Sequence, residues 1–267
     1  MSTPLAVGNG RVKEARKLSR RSERSERRLF LADGPKAVEG ALGVSGCVVE
    51  VFATPAATEQ HQALVAAAPQ WTLVDERALA SLSDAVNPAG VVALCRFLDR
   101  PVEHVLDRDR DRGELRLVAI CADVRDPGNA GTVIRTADAA GADAVVLAGS
   151  SVDLYNPKTL RASVGSAFHL PVAVETDVAA AIAAARAAGL TVLAADGAGE
   201  TDLHAPGDLL DAPTAWVFGN EAWGLPAEVA ALADHRVRIP IRGRAESLNL
   251  STAAALCLYE SARHHTP

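Results

Sequence analysis

The chain has 267 residues, a net charge of −6, 49% hydrophobic and 4% aromatic residues. That apolar content supports a sizeable core and excludes whole-chain disorder. The acidic balance excludes a surface built throughout for nucleic acid.

The N-terminus carries basic residues without an apolar segment behind them, so no secretory signal is read there. No apolar run approaches the roughly 20 residues that a bilayer span needs. Cys47, Cys95, Cys121 and Cys257 are far apart, form no C-x-x-C pair and have no histidine at zinc-ligand spacing. They read as free thiols in a reducing compartment, with no metal site. A soluble, cytoplasmic protein without membrane contact is expected.

Between Arg11 and Arg28 stand nine Lys/Arg and three Glu, a local balance of +6. This basic arm could hold phosphates through Arg20, Arg21, Arg24, Arg27 and Arg28. On charge alone the simpler reading is a solvated helix in which "RRSERSERR" forms Glu–Arg pairs.

Residues 28–97 alternate apolar runs with helical patterns. "RLFLA", "GCVVEVFA" and "GVVALCRF" read as strands. "DGPKAVEGAL" reads as a helix with Asp33 as a candidate cap and Pro35 in its first turn. "ATEQHQALVAAA" reads as a second helix. The charged stretch from Leu98 to Glu114 lacks a core-forming period, and its Asp–Arg alternation reads as a solvated linker. Domain bounds are therefore set at 1–100, with a linker at 101–114 and a second domain at 115–267.

From Leu115 strands and helices alternate: "LRLVAICA", loop "DVRDPGN", helix "AGTVIRTADAAG", strand "DAVVLAG", helix "NPKTLRASVGSA", strand "HLPVAVE". A helix follows with Asp177 as cap and Gly189 as stop, then strands "LTVLAAD", "TAWVFG" and "HRVRIP", and a last helix "STAAALCLYESAR". This rhythm predicts an α/β domain with a mainly parallel sheet covered on both faces.

Ligands bind beyond the carboxyl ends of such strands. Three strand-end loops there are rich in glycine and polar groups. The first holds Asn129, Gly131 and Arg135, without dinucleotide or P-loop spacing. Arg135 falls about one turn into the expected helix, where it could grip a phosphate or pair with Asp123, Asp126 or Asp138. The second is "VFGNEAWGLP", with Gly219, Asn220, Glu221 and Gly224. The third runs from Ile239 through Gly243 to Ser247, Leu248 and Asn249, where Ser247 or Asn249 could cap the last helix.

Together these segments have a specific resemblance. Asn129-x-Gly131-x-x-x-Arg135-Thr136-Ala137, Gly219-x-Glu221-x-x-Gly224 and Ile239-Pro240-x-x-Gly243-x-x-x-Ser247-Leu248-Asn249-x-Ser251 are similar, in order, to motifs 1, 2 and 3 of the SpoU/TrmH family, RNA ribose 2′-O-methyltransferases of the SPOUT class. Ile241 replaces the usual methionine and Leu250 the usual valine. The N-terminal unit resembles the substrate-binding domain of many members, which is like a small kink-turn-binding ribosomal protein.

The resemblance implies a parallel sheet with a deep trefoil knot and S-adenosylmethionine as cofactor. It implies a cofactor site at Gly219, Asn220, Ile239, Gly243 and Leu248. It implies catalytic roles for Arg135, as base or phosphate clamp, and for Asn129, Glu221, Ser247 and Asn249. It implies RNA, most often of the large ribosomal subunit, as substrate, with transfer RNA as runner-up. It also implies a homodimer. The last helix carries Ala254, Leu258 and Ser261 on one stripe and Leu256, Tyr259 and Arg263 on another, more than one sheet face needs. A non-catalytic RNA-binding factor predicts loss of the motif residues. A nicotinamide enzyme needs a glycine spacing that "DPGNAG" does not supply.

Overall fold

The computed structural model describes residues 3–107 and 114–265. The chain forms two compact units, one of Met1–Leu98 with Tyr155–His169, the other of Asp99–Leu154 with Leu170–Pro267.

The first unit begins with helices α1 (Gly10–Lys17) and α2 (Arg21–Arg27). Strand β1 (Leu29–Asp33), helix α3 (Pro35–Leu42), strand β2 (Val48–Ala53) and helices α4 (Pro55–Gln60) and α5 (Gln62–Ala67) follow. Strand β3 (Trp71–Leu73), helix α6 (Glu76–Ala80) and strand β4 (Val91–Arg96) complete its N-terminal part. The sheet order is β1-β4-β2-β3. Strand β4 is antiparallel to both β1 and β2, while β3 runs parallel to β2.

The basic arm is part of this core. Val12, Ala15 and Leu18 pack with Leu31, Phe52, Val74, Leu79 and Val92. Arg24 is buried and donates to the carbonyls of Leu18 at 2.8 Å and Ser19 at 2.9 Å. Its assignment to phosphate binding is thereby corrected: it holds the α1–α2 turn together.

Two local expectations also change. Gly34, not Asp33, occupies the cap position of α3, and the Asp33 carboxylate instead accepts from Ser83 Oγ. The helix expected over Ala57–Ala68 is broken at His61, whose φ of −116° and ψ of 50° lie outside the helical region.

The second unit opens with helix α7 (Val102–Val105), then β5 (Leu117–Ala122), α8 (Pro127–Ala139) and β6 (Ala144–Ala148). Helix α9 (Pro157–Ser163) and a 3-10 turn at Ser166–Phe168 belong to the first unit. There the Tyr155 ring stacks on Phe97, and its hydroxyl accepts from Leu98 N. The second unit continues with β7 (Val172–Glu175), α10 (Val178–Ala187), β8 (Thr191–Ala195), β9 (Thr201–Asp202) and β10 (Thr214–Phe218). It ends with α11 (Ala227–Ala230), β11 (His235–Arg238) and α12 (Leu250–His265).

Part of the expected linker is core: Val102, Val105 and Leu106 are buried against Val118, Ile120 and Ile182. The remainder of that reading, at 108–113, lies outside the described residues.

Seven strands form one sheet in the order β7-β6-β5-β10-β8-β11-β9, all pairs parallel. The central strands β5, β6 and β10 are buried at every residue, which is why they read as continuous apolar runs rather than alternating ones. Helices α7 and α10 cover one face; α8 and α12 pack together on the other. Trp216 of β10, fully buried, donates Nε1–H to Ser261 Oγ of α12 at 2.8 Å, so the indole leaves no unpaired donor.

Of the two stripes on α12, the one with Ala254, Leu258 and Ser261 is buried within the unit, together with Cys257. Small residues there serve its own sheet. Leu256 and Tyr259 remain 40% and 53% exposed.

Candidate active site

The chain turns away from the sheet in different directions after the adjacent strands β5 and β10, and the motif loops gather at those carboxyl ends. The first loop is ordered by Asp123, which takes a left-handed backbone (φ 56°) directly after β5. Its Oδ1 accepts from Ser150 N at 2.7 Å, and its carbonyl accepts from Asn220 Nδ2 at 2.7 Å. Helix α8 then starts earlier than the residue pattern suggests. Asp126 caps it by accepting from Asn129 N at 2.8 Å, and Pro127 is pre-set for the first position. Asn129 is therefore in the first turn, and Arg135 lies about two turns along rather than one.

The second loop is a tight turn closed by reciprocal Asn220–Gly224 backbone bonds of 2.9 Å. Asn220 Oδ1 accepts from Ala222 N at 2.8 Å. This points Glu221 at the start of α8. Its carboxylate accepts from Arg125 N at 3.2 Å, Asp126 N at 3.0 Å and Asn129 Nδ2 at 3.3 Å. A carboxylate here complements the positive end of α8.

The third loop ends at Asn249, which caps α12. Its Oδ1 accepts from Ser251 N at 2.9 Å and Ser251 Oγ at 2.7 Å. Asn249 Nδ2 donates to Asn129 Oδ1 at 3.1 Å. The polar stretch before α12 is thus both a helix cap and one end of a relay, Asn249–Asn129–Glu221, that ties all three loops.

Beside the relay lies a cavity of about 380 Å³. Phe218, Val237, Ile239, Ile241, Leu248 and Leu250 give it apolar walls; the 219–224 turn gives it backbone polar groups; Asp196, Glu246 and Ser247 also line it. Of the sequence-predicted cofactor residues, Gly219, Asn220, Ile239 and Leu248 border the cavity, and Gly243 does not. Gly219 is required by its own loop, since a Cβ there would overlap the Gly224 carbonyl and Leu225 N.

Arg135 is exposed on α8, and among the described residues it has no hydrogen-bond or ion-pair partner. The pairing with Asp123, Asp126 or Asp138 does not form: two of these hold the loop, and Asp138 is engaged elsewhere.

The five arm arginines belong to the first unit, away in sequence from these loops. Arg20 and Arg21 are exposed. Arg27 pairs with Glu14 at 2.9 Å and Glu23 at 2.8 Å, and Arg28 lies 4.5 Å over the Phe97 ring.

The residue pattern assigns no role to Arg125, or to Asp196 with Gly197; it offers Asp123 only as a possible partner of Arg135, and Trp223 as packing beneath its turn, which its exposure corrects. Asp196 and Gly197 had a legible signal, a glycine-containing turn straight after the apolar strand β8. The loop-ordering role of Asp123 had none, because it depends on loops that are distant in sequence. Burial pushes the Cys121 thiol up to about 12, so this thiol under the site is inert at neutral pH. Among the described residues no group of His, Cys, Asp or Glu could hold a metal ion, and no helix is long and apolar enough to cross a membrane.

Residues 116–259 match the SpoU rRNA methylase family, and residues 9–93 match an MRM3-like substrate-binding domain. The chain is 33% identical over 258 residues to the Bacillus subtilis 23S rRNA (guanosine(2553)-2′-O)-methyltransferase RlmP, covering 94% of this chain and 95% of that one. The crystal structure of an AdoMet-bound rRNA methyltransferase from Sinorhizobium meliloti superposes with a TM-score of 0.83 at 35% identity, over 97% of this chain and 96% of that one. The AdoMet complex of the SpoU methyltransferase AviRb from Streptomyces viridochromogenes gives 0.81 at 29% identity, over 96% of this chain and 98% of that one. With more than half of its length matched by the family pattern, and the three motif loops joined at one cavity, the chain belongs to the SpoU rRNA methylase family.

Proposed function

We propose that the protein methylates a ribose 2′-hydroxyl in large-subunit ribosomal RNA with S-adenosylmethionine as methyl donor. The observation that carries this reading is the Asn249–Asn129–Glu221 relay beside an apolar cavity. The cavity suits the cofactor: its apolar walls match an adenosine, the 219–224 backbone offers donors and acceptors, and Asp196 and Glu246 can meet a cation. When bound, S-adenosylmethionine supplies an electrophilic sulfonium methyl group. Ile239 and Leu248 would hold it by apolar contact, and Gly219 and Asn220 through their backbone groups.

The chain's own residues supply orientation. Glu221 fixes the first turn of α8, and Asn249 fixes the Asn129 amide. Arg135, exposed and without a carboxylate partner among the described residues, offers its planar fork to an RNA phosphate and orients the ribose hydroxyl. A guanidinium holds its proton too tightly to be a good base, which favours clamping over proton abstraction. Ser247, at the cavity edge, would position the nucleotide.

The same reading includes a trefoil knot. In its support, β11 lies beyond β8 in the sheet, while the chain that follows returns to pack α12 on α8, β5 and β10. It includes a homodimer through the exposed Leu256 and Tyr259 of α12. A monomeric mass by light scattering, with full activity, would refute the dimer. It also places the chain in the cytoplasm, in keeping with four free, buried cysteines.

The deciding experiment incubates the purified protein with labelled S-adenosylmethionine and separated ribosomal and transfer RNA pools, then maps the methylated nucleotide. Label confined to transfer RNA, or on a base, overturns the substrate assignment.

A further inference from the structure

Trp223 is the most exposed of the large apolar side chains among the described residues of the second unit. Trp216 is fully buried, yet Trp223 is 56% exposed, at the edge of the cavity. With Ile241 and Leu248, 40% and 38% exposed and lining the same cavity, it makes an exposed apolar patch, the kind of surface that marks a binding site. Its turn is firmly held. Trp223 sits inside the turn closed by the Asn220–Gly224 bonds, and the turn is tied to Asp123 by Asn220 Nδ2 and to α8 by Glu221. The Arg125 guanidinium lies 5.5 Å from the ring centroid, within cation–π range. The ring is thus held in place with a large part of its surface open.

Charge says what would cover it. Arg125, Arg242 and Arg244 come from the motif loops and Arg135 from helix α8 behind the first of them, and among the described residues none has a carboxylate partner. By contrast Arg186, Arg236 and Arg238 of the same unit are all paired with acids. A fixed aromatic face beside the Arg125 guanidinium, on a site whose motif segments carry three further arginines without acid partners among the described residues, fits an unstacked nucleobase with its phosphates.

We propose that Trp223, braced by Arg125, is the platform on which a base of the RNA substrate stacks, so that the neighbouring ribose is presented to the cavity. This rests on the methyltransferase reading above and adds to it a recognition residue. It also requires that the target segment be single-stranded or splayed open, because a base inside a duplex has no free face to offer.

The test uses the full chain, Trp223→Ala and Trp223→Phe, with unmodified 23S rRNA transcript and tritiated S-adenosylmethionine. Trp223→Ala should lower kcat/KM for RNA by roughly tenfold to a hundredfold, with Trp223→Phe restoring most of it. Calorimetric affinity for S-adenosylmethionine and mass by light scattering should stay unchanged in both. Equal kcat/KM in wild type and Trp223→Ala overturns the platform. So does a parallel loss of cofactor affinity, which would assign the ring to the cofactor, or a change to monomer, which would assign it to a subunit interface. A second measurement stands apart from activity. In a Trp71→Phe background, the exposed Trp223 reports above the buried Trp216, and its fluorescence should be quenched by a single-stranded oligoribonucleotide but not by a blunt RNA duplex. If the wild type transfers no methyl group to the transcript, the substrate reading fails, and this quenching alone decides the platform: absence of quenching refutes it.

Discussion

Asn249 Nδ2 donates to Asn129 Oδ1 at 3.1 Å, joining residues 120 positions apart and fastening the cap of the last helix to the first turn of α8. The same asparagine caps α12 through its other amide atom. Stability and relay geometry therefore meet in one side chain and can be separated by substitution. Asn249→Ala loses both, and should cost about 1 kcal/mol by urea denaturation as well as most of the turnover. Asn249→Asp keeps the cap oxygen and loses the donor. It should hold near-normal stability and still be impaired in methyl transfer. Full activity in Asn249→Asp would remove the relay from the mechanism.

Glu221 receives two backbone N–H groups and the Asn129 amide. In Glu221→Gln the new amide nitrogen must face a donor. The start of α8 should loosen, and turnover should fall by roughly a hundredfold, the usual consequence of misplacing a positioning group by about 1 Å. Faster amide exchange at Arg125 and Asp126 would accompany it; unchanged exchange would contradict the role.

Arg135 is exposed and, among the described residues, pairs with no acid. Arg135→Ala should change stability by no more than about 0.5 kcal/mol and leave S-adenosylmethionine affinity intact, while abolishing transfer. Arg135→Lys, which keeps charge without the planar fork, should recover only part of it. Near-wild-type turnover in Arg135→Ala would exclude the residue.

Two glycines of the cavity behave differently. A side chain at Gly219 would overlap the backbone of Gly224 and Leu225, so Gly219→Val should disturb the loop itself. Lost cofactor binding there would come with lost stability, about 1–3 kcal/mol as for other overpacked sites. A Cβ at Gly197 meets no heavy atom within 4 Å. Gly197→Val should therefore fold normally and weaken S-adenosylmethionine binding by filling the cavity. Unchanged affinity by calorimetry would place the cofactor elsewhere.

The basic arginines of the first unit should separate by burial. Arg24→Ala removes the donors to Leu18 and Ser19 and should destabilise by about 1.5–3 kcal/mol, as for hydrogen bonds from a charged group. Replacing Arg20 and Arg21 by Gln should leave stability alone. If they meet phosphates, it should flatten the salt dependence of RNA binding by roughly 0.7–0.9 log units for each phosphate no longer neutralised. An identical slope would make them a solvated helix end.

The sequence by itself determined the alternation of strands and helices, because side-chain period and turn chemistry are local. It determined the buried character of β5, β6 and β10, because a strand covered on both faces must be apolar throughout. It also carried the three motif loops, whose residue types and order have few other uses. Only tertiary structure decided the rest. Arg24 and Arg20 look alike in a charge run, yet one is a buried brace and the other is exposed, since burial depends on what α1 and α2 pack against. Val102 and Val105 look like part of a linker until the sheet offers them a face. The segment Tyr155–His169 lies in sequence among the strands of the second unit, and long-range stacking on Phe97 assigns it to the first. The pairing of Asn249 with Asn129, and the fixing of Trp223 beside Arg125, arise where loops from distant strands converge. Hydrogen bonds and ring contacts of that kind leave no period in a sequence.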